Sequence, residues 1–149
     1  MSEPIADPYD LNRFVAAQAR DYASALSELK SGRKRTHWMW YVFPQIAGLG
    51  VSSNATYYAI SGLEEADAYL RHPVLGPRLL ECAAAVMSIE GRSAKEIFGA
   101  PDDRKLQSSA TLFASVSGPD SVFHRVLGKY YRGAFDRRTL ELCYPSFSP

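Results

Sequence analysis

The stretch RTHWMWYVFPQ, residues 35–45, sets two Trp, a Tyr and a Phe in one run that opens on Arg35 and closes on Gln45. It is apolar on every face whichever repeat is imposed, so periodicity alone does not assign it. Aromatics with Val favour a strand by propensity, but one short strand without a partner would leave its backbone donors and acceptors unpaired. A short buried helix satisfies more of them. The run therefore reads as one or two buried helical turns, with Thr36 or His37 near the N-cap and Pro44 forbidding continuation.

On either side of that run the chain reads as helices. Asp7-Pro8 supplies an N-cap and a Pro at the first helical position, and Leu11, Phe14, Val15, Tyr22, Ala25, Leu26 and Leu29 recur at helical spacing, which predicts a helix from Pro8 to Ser31 closed by Gly32. Residues 46–55, IAGLGVSSNA, read as a loop. Ser61 and Glu64 have capping-box spacing and open a helix through Arg71, ended by Pro73. A longer helix follows from Gly76 to Glu90, with Gly91 as its stop. Ser93 and Glu96 repeat the capping box before a turn or two ending at Gly99. Pro101-Asp102-Asp103 opens a helix broken at Gly118-Pro119; Val122 to Tyr131 forms another, stopped by Gly133; Asp136 caps a last short one. Alternating strand patterns and Asn-Gly or Asp-Gly hairpin signals are lacking. The expected fold is all-α: a single-domain bundle of six to eight helices over residues 1–149, with loose termini at 1–6 and 144–149.

Composition bounds the function. A chain of 149 residues fits one domain with one core. Apolar residues at 46%, aromatics at 12% and charged residues at 22% are those of a globular domain and exclude a disordered inhibitor. A formal charge of +1 gives no field that would attract nucleic acid or acidic lipid, so nucleic acid ranks below small-molecule and protein partners despite the basic run GRKR, residues 32–35. No stretch is long and apolar enough to span a membrane, and MSEPIADPYD lacks a basic start and an apolar h-region, from which a cytoplasmic location is expected. Cys82 and Cys143 lie far apart without a CxxC, and His37, His72 and His124 share no ligand spacing; no metal or cofactor is expected. Cys82, in an apolar helix, reads as a small core residue.

The residues also carry a likeness. His37-Trp38-Met39-Trp40-Tyr41-Val42-Phe43-Pro44-Gln45, then Gly48-Leu49-Gly50, Tyr58-x-Ile60, Glu65-Ala66-x-Ala68-Tyr69-Leu70-x-His72-Pro73, Ile97-Phe98-Gly99, Asp102-Asp103-x-Lys105, Ser108-Ser109-x-Thr111-Leu112-Phe113 and Lys129-Tyr130-Tyr131 with Gly133 together resemble an uncharacterised family of bacteria and fungi, a domain of unknown function. The likeness runs from Asp7 to Leu142, and Ala110 departs from it where the family usually has Met. It implies a compact helical bundle with no assigned activity. Some members bear the name calpastatin, but calpastatins are disordered inhibitors, and a chain this rich in aromatic and apolar residues is not one.

Candidate chemistry gathers at two places. His37 is positioned to act as an acid–base or to donate to an anion, or else to hold the cluster through a backbone carbonyl. Trp38, Trp40 and Tyr41 would stack a planar ligand such as a nucleobase if they are not simply core. Gln45 and the loop with Gly48, Gly50 and Ser53 would line the same hollow, and Arg33, Arg35 or Lys105 would neutralise an anion. Three basic residues after a helix also suit its C-terminal dipole without any ligand. Asp102, Lys105 and Ser109 fall at spacings of three and four, so Ser109 and Lys105 form a nucleophile and base only if the Lys is desolvated. The leading expectation is a binding site for a small, planar, anionic, nucleotide-derived ligand, with or without chemistry on it; the alternative is a non-catalytic protein–protein interaction module.

Overall fold

The structure is a computed structural model, and it describes residues 6–145. Among them are nine helices: α1 (Asn12–Lys30), α2 (Met39–Val42), α3 (Ser53–Tyr57), α4 (Leu63–Arg71), α5 (Leu75–Ser88), α6 (Ala94–Phe98), α7 (Asp102–Ala114), α8 (Val122–Tyr131) and α9 (Arg137–Cys143). The only extended pairing described is a single parallel bridge between Ile46 and Ile60. The fold is thus all-α. None of these helices is long and apolar enough to cross a membrane. Of the termini expected to be loose, residues 1–5 and 146–149 lie outside the described residues, while Tyr144 is half-buried and donates its backbone N–H to Leu140 at 2.9 Å.

The centre of the bundle is α7. Ser108 through Ala114 are all buried, so the second half of this helix hides every face, and the helix packs against α4, α6, α8 and α9. Small residues allow that approach, and their hydroxyls turn back on the helix: Ser108 donates to the Arg104 carbonyl at 3.1 Å and Thr111 to that of Gln107 at 2.8 Å. The second layer is α1 against α5, with α5 also touching α4 and α8. Gly76 sits where α5 crosses the end of α4, and a Cβ there would lie 2.0 Å from the Leu70 carbonyl oxygen.

Local chemistry moves several boundaries from those predicted. Asp7 is not the N-cap of α1, a position held by Leu11; beyond a turn at Pro8-Tyr9 its carboxylate accepts the N–H groups of Leu11 (2.7 Å) and Asn12 (3.0 Å), and α1 starts at Asn12 rather than Pro8. Ser61 does not form a box with Glu64: its N–H (2.9 Å) and hydroxyl (2.8 Å) both reach Glu65. Glu65 has its other oxygen on Arg13 at 2.9 Å, and this buried pair outcompetes the exposed Glu64. The α5 start needs no Pro signal, because His72 Nδ1 accepts the N–H groups of Val74 (3.1 Å) and Leu75 (3.2 Å); the helix ends at Ser88 rather than Glu90. The box at Ser93 and Glu96 forms as predicted. A one-turn helix, α3, capped by the Ser52 hydroxyl on Ala55 N–H, lies partly within the stretch read as a loop.

Two polar clamps fix the parts that matter for the site. The Arg13 guanidinium donates to the carbonyls of Tyr57 (2.8 Å), Tyr9 (2.5 Å), Asp10 (2.8 Å) and Ala59 (2.8 Å) as well as to Glu65, which pins residues 57–61 onto α1. The buried Gln18 amide donates to the Tyr41 carbonyl (2.7 Å) and the Tyr69 hydroxyl (2.9 Å), which ties α2 to α1 and α4. The Lys129-Tyr130-Tyr131 motif serves helix ends. Lys129 donates to the carbonyls of Met87 (2.7 Å) and Ile89 (2.5 Å), Tyr130 to that of Val86 (2.6 Å), and Tyr131 to that of Asp103.

A candidate ligand-binding cleft beside Trp40

The aromatic run is the buried helical turn its composition called for, and α2 gives its two indoles opposite surroundings. Trp38, Met39, Tyr41, Val42 and Phe43 are buried, and Pro44 ends the turn. Neither Thr36 nor His37 caps it; the N-cap position is Trp38 itself, without a side-chain bond. The preceding chain is held instead by Glu28, whose carboxylate accepts from Arg35 N–H (2.6 Å), Thr36 N–H (2.9 Å), the Thr36 hydroxyl (2.6 Å) and Trp38 Nε1 (3.0 Å). Burial pushes the Glu28 carboxyl up, but these donors, the Thr36 hydroxyl first, outweigh it and hold the group at about 2. Tyr41 is likewise engaged, its hydroxyl donating to Asp21 and to the His37 carbonyl, and burial followed by the Asp21 bond raises its pKa.

Trp40 points the other way, into a cleft of about 610 Å³. Its walls are Trp40 from α2, Gln45, Ile46 and the 49–52 loop, Ala55 of α3, Tyr58 and Ala59, the first turns of α7 at Pro101, Arg104, Lys105 and Ser108, and Asp136 and Arg138 where α9 begins. Val51 stands fully exposed at the rim. The Lys105 ammonium lies over the Trp40 ring, 3.7 Å from its centroid, and also 3.2 Å from Asp102 Oδ1. The other oxygen of Asp102 holds Lys34 at 2.9 Å, and Lys34 in turn lies 5.1 Å from the Trp38 centroid. One carboxylate thus sits between two ammonium groups, each over an indole.

The lining carries three cations, Arg104, Lys105 and Arg138, against one anion, Asp136. Asp136 is occupied as the α9 cap, accepting from Thr139 N–H at 3.0 Å and the Thr139 hydroxyl at 2.5 Å. Four polar groups of the lining have no partner among the described residues: the Trp40 indole N–H, the Gln45 amide, the Tyr58 hydroxyl and the Arg104 guanidinium. The two serine hydroxyls in the walls are already used, Ser108 by the Arg104 carbonyl and Ser52 by Ala55 N–H. The cleft is therefore equipped to hold an anion and a flat apolar body; it presents no nucleophile bonded to a base.

Of the residues singled out in the sequence, the cleft brings together Trp40, Gln45, Gly50 and Lys105. Trp38 and Tyr41 belong to the core. His37, Arg33 and Arg35 are exposed and are not part of this lining. Gly48 lies against Leu142, and Ser53 begins α3 outside the walls. Ser109 is buried, its hydroxyl without a partner, so it forms no bond with Lys105. Cys82 is core as expected, and burial pushes its thiol up to about 12. No group of three or more His, Cys, Asp or Glu that could hold a metal exists among the described residues. Sequence reasoning missed Tyr58, Arg104, Asp136 and Arg138. Tyr58 and Arg104 lie within the motifs Tyr58-x-Ile60 and Asp102-Asp103-x-Lys105, which could have flagged them; Asp136 and Arg138 carried no signal beyond a helix cap.

The chain matches, over residues 8–143, the family described as protein of unknown function (DUF1810). It is similar to a solved structure, that of the conserved hypothetical protein Rv1873 from Mycobacterium tuberculosis, at 58% identity over 91% of this chain and 97% of that one, with a TM-score of 0.90. No curated protein matches the chain.

Proposed function

The chain belongs to the DUF1810 family of proteins of unknown function, and we propose that the cleft beside Trp40 binds a small, planar, anionic molecule. The observation that supports this reading is the contrast in hydrogen bonding within one motif. The polar groups of Trp38 and Tyr41 are satisfied inside the protein, whereas those of the lining residues Trp40, Gln45, Tyr58 and Arg104 have no partner among the described residues. Binding sites characteristically combine an apolar wall with a few such groups. Arg104 and Arg138 supply the charge for an anion, Trp40 and Tyr58 the flat wall, and the Trp40 N–H and Gln45 amide the orientation.

The test is a panel of planar metabolite anions read by tryptophan fluorescence and melting temperature. A ligand of the cleft quenches saturably in the unmodified protein and in His37→Ala, and fails to do so in Trp40→Phe. A panel that moves neither signal, or quenching that survives in Trp40→Phe, overturns the proposal.

A further inference from the structure

The arrangement around Asp102 is unusual in having one cation too many. Its Oδ2 is paired with Lys34, whose side chain is nearly buried, and its Oδ1 with Lys105, which lies at the cleft wall. Withdrawing Lys105 would leave Asp102 still paired. Meanwhile the Lys105 ammonium, 3.7 Å from the ring centroid, occupies the level above Trp40 that a stacked atom would take, since carbon atoms meet at about 3.5–4.0 Å. The same group therefore blocks the flat wall, and the carboxylate that holds it keeps a second cation when it leaves. Beside it stands Arg104, exposed and with no partner among the described residues, and in the same lining Arg138, bound only at 3.7 Å to Glu141. Three cations against one already occupied carboxylate suit an anion of more than one charge. The forked geometry of arginine suits phosphate oxygens.

Resting on the cleft reading above, we propose that the ligand class is a planar ring bearing a phosphate monoester, and that Lys105 couples its two halves by leaving the Trp40 face for the phosphate while the ring takes its place on the indole. No covalent step is involved. Phosphate alone draws Lys105 away and uncovers Trp40; a ring alone must displace Lys105 with no anion to receive it; the two joined do both at once.

The experiment uses adenosine monophosphate, adenosine and inorganic phosphate as probes, with affinity by calorimetry and Trp40 exposure by acrylamide quenching, taken as the difference from Trp40→Phe. Adenosine monophosphate is expected to bind at least about tenfold more tightly than either fragment. Quenching of Trp40 rises with phosphate and falls with adenosine monophosphate. Lys105→Met abolishes the phosphate effect and lowers the preference for adenosine monophosphate over adenosine by about threefold or more, Arg104 and Arg138 keeping the rest. If adenosine monophosphate binds but its preference over adenosine is undiminished in Lys105→Met, or if both anions change quenching in the same direction, the Lys105 exchange is overturned while the cleft reading stands. If none of the three binds the folded protein, the phosphate class is overturned, and the broader panel decides the cleft by itself. The quenching measurement needs no change at position 105, so it decides the matter even where Lys105→Met does not fold.

Discussion

Trp38 and Trp40 are separated by a single residue on a one-turn helix, and they do opposite jobs. Trp38 is fully buried, its ring set against Phe43 and Phe98 and its N–H held by Glu28. Trp40 is half-buried against the core, its N–H without a partner among the described residues and its ring under an ammonium group. Each has a lysine over its ring, and the same aspartate serves both lysines. On the Trp38 side the indole N–H and the Tyr41 hydroxyl are both bonded within the chain. On the Trp40 side the contacts are left open toward a cleft. A pair of like residues thus separates what holds the fold from what faces a partner.

That contrast is broken most forcefully by truncation. Trp38→Ala leaves a large void and orphans a bond to a carboxylate, and is expected to cost about 3–5 kcal/mol. Set against a domain stability of about 5–15 kcal/mol, this leaves the protein near unfolding. Trp40→Ala removes a half-exposed ring and a cation–π contact and is expected to cost about 1–2 kcal/mol. Urea titration of both variants measures the difference. Equal losses would mean that Trp40 is as structural as Trp38 and would remove the basis for a cleft.

The sequence carried the helical architecture because it is written in short-range signals. Gly32, Gly91, Gly99 and Gly133 all adopt positive φ at or just beyond helix ends, the Ser93–Glu96 box closes as its spacing implies, and a turn of helix is the economical way to bury residues 38–43. What escaped is long-range. Glu65 rather than Glu64 answers Ser61 because Arg13, far away in sequence, is buried against Glu65 and keeps it in place. For the site, alternation of direction within a single turn decides that Trp38 faces the core and Trp40 the cleft, and a run apolar on all faces gives no hint of which is which. His37 looked functional by type and neighbours, yet one position before Trp38 it is carried outward to solvent. Arg138 reaches the cleft from α9, a placement set wholly by tertiary structure.

A smaller effect sharpens the structural half of the comparison. Glu28→Gln keeps the shape of the side chain but loses the charge that four donors address, and is expected to lower stability by about 1.5–3 kcal/mol at neutral pH. The pH dependence has a definite sign. The Glu28 pKa is depressed in the folded state to about 2 from an ordinary 4.5, so its contribution is complete above 4.5 and is lost as pH falls toward 2. Urea midpoints measured between pH 7 and pH 3 should therefore converge for the unmodified protein and Glu28→Gln as the solution is acidified. A gap that stays constant over that range would show that the Glu28 charge does not anchor the Trp38 side.

The smallest effect on stability belongs to the open side. Arg104 lies on the exposed face of α7, and its guanidinium makes no hydrogen bond or ion pair among the described residues, so Arg104→Ala removes no such internal bond. A substitution of that kind is expected to shift stability by no more than about 0.5 kcal/mol. Alanine has the higher helix propensity, which favours the variant by a few tenths of a kcal/mol at most. Relief of the like charge at Lys105 and Arg138 acts in the same direction. The variant should accordingly melt at, or slightly above, the temperature of the unmodified protein, while its affinity for a planar anion falls by about tenfold or more through loss of a charged hydrogen bond. Stability and affinity are thereby uncoupled at one residue. A marked drop in melting temperature would instead mean that Arg104 has a structural duty, and the open groups around Trp40 would no longer stand apart from the closed ones around Trp38.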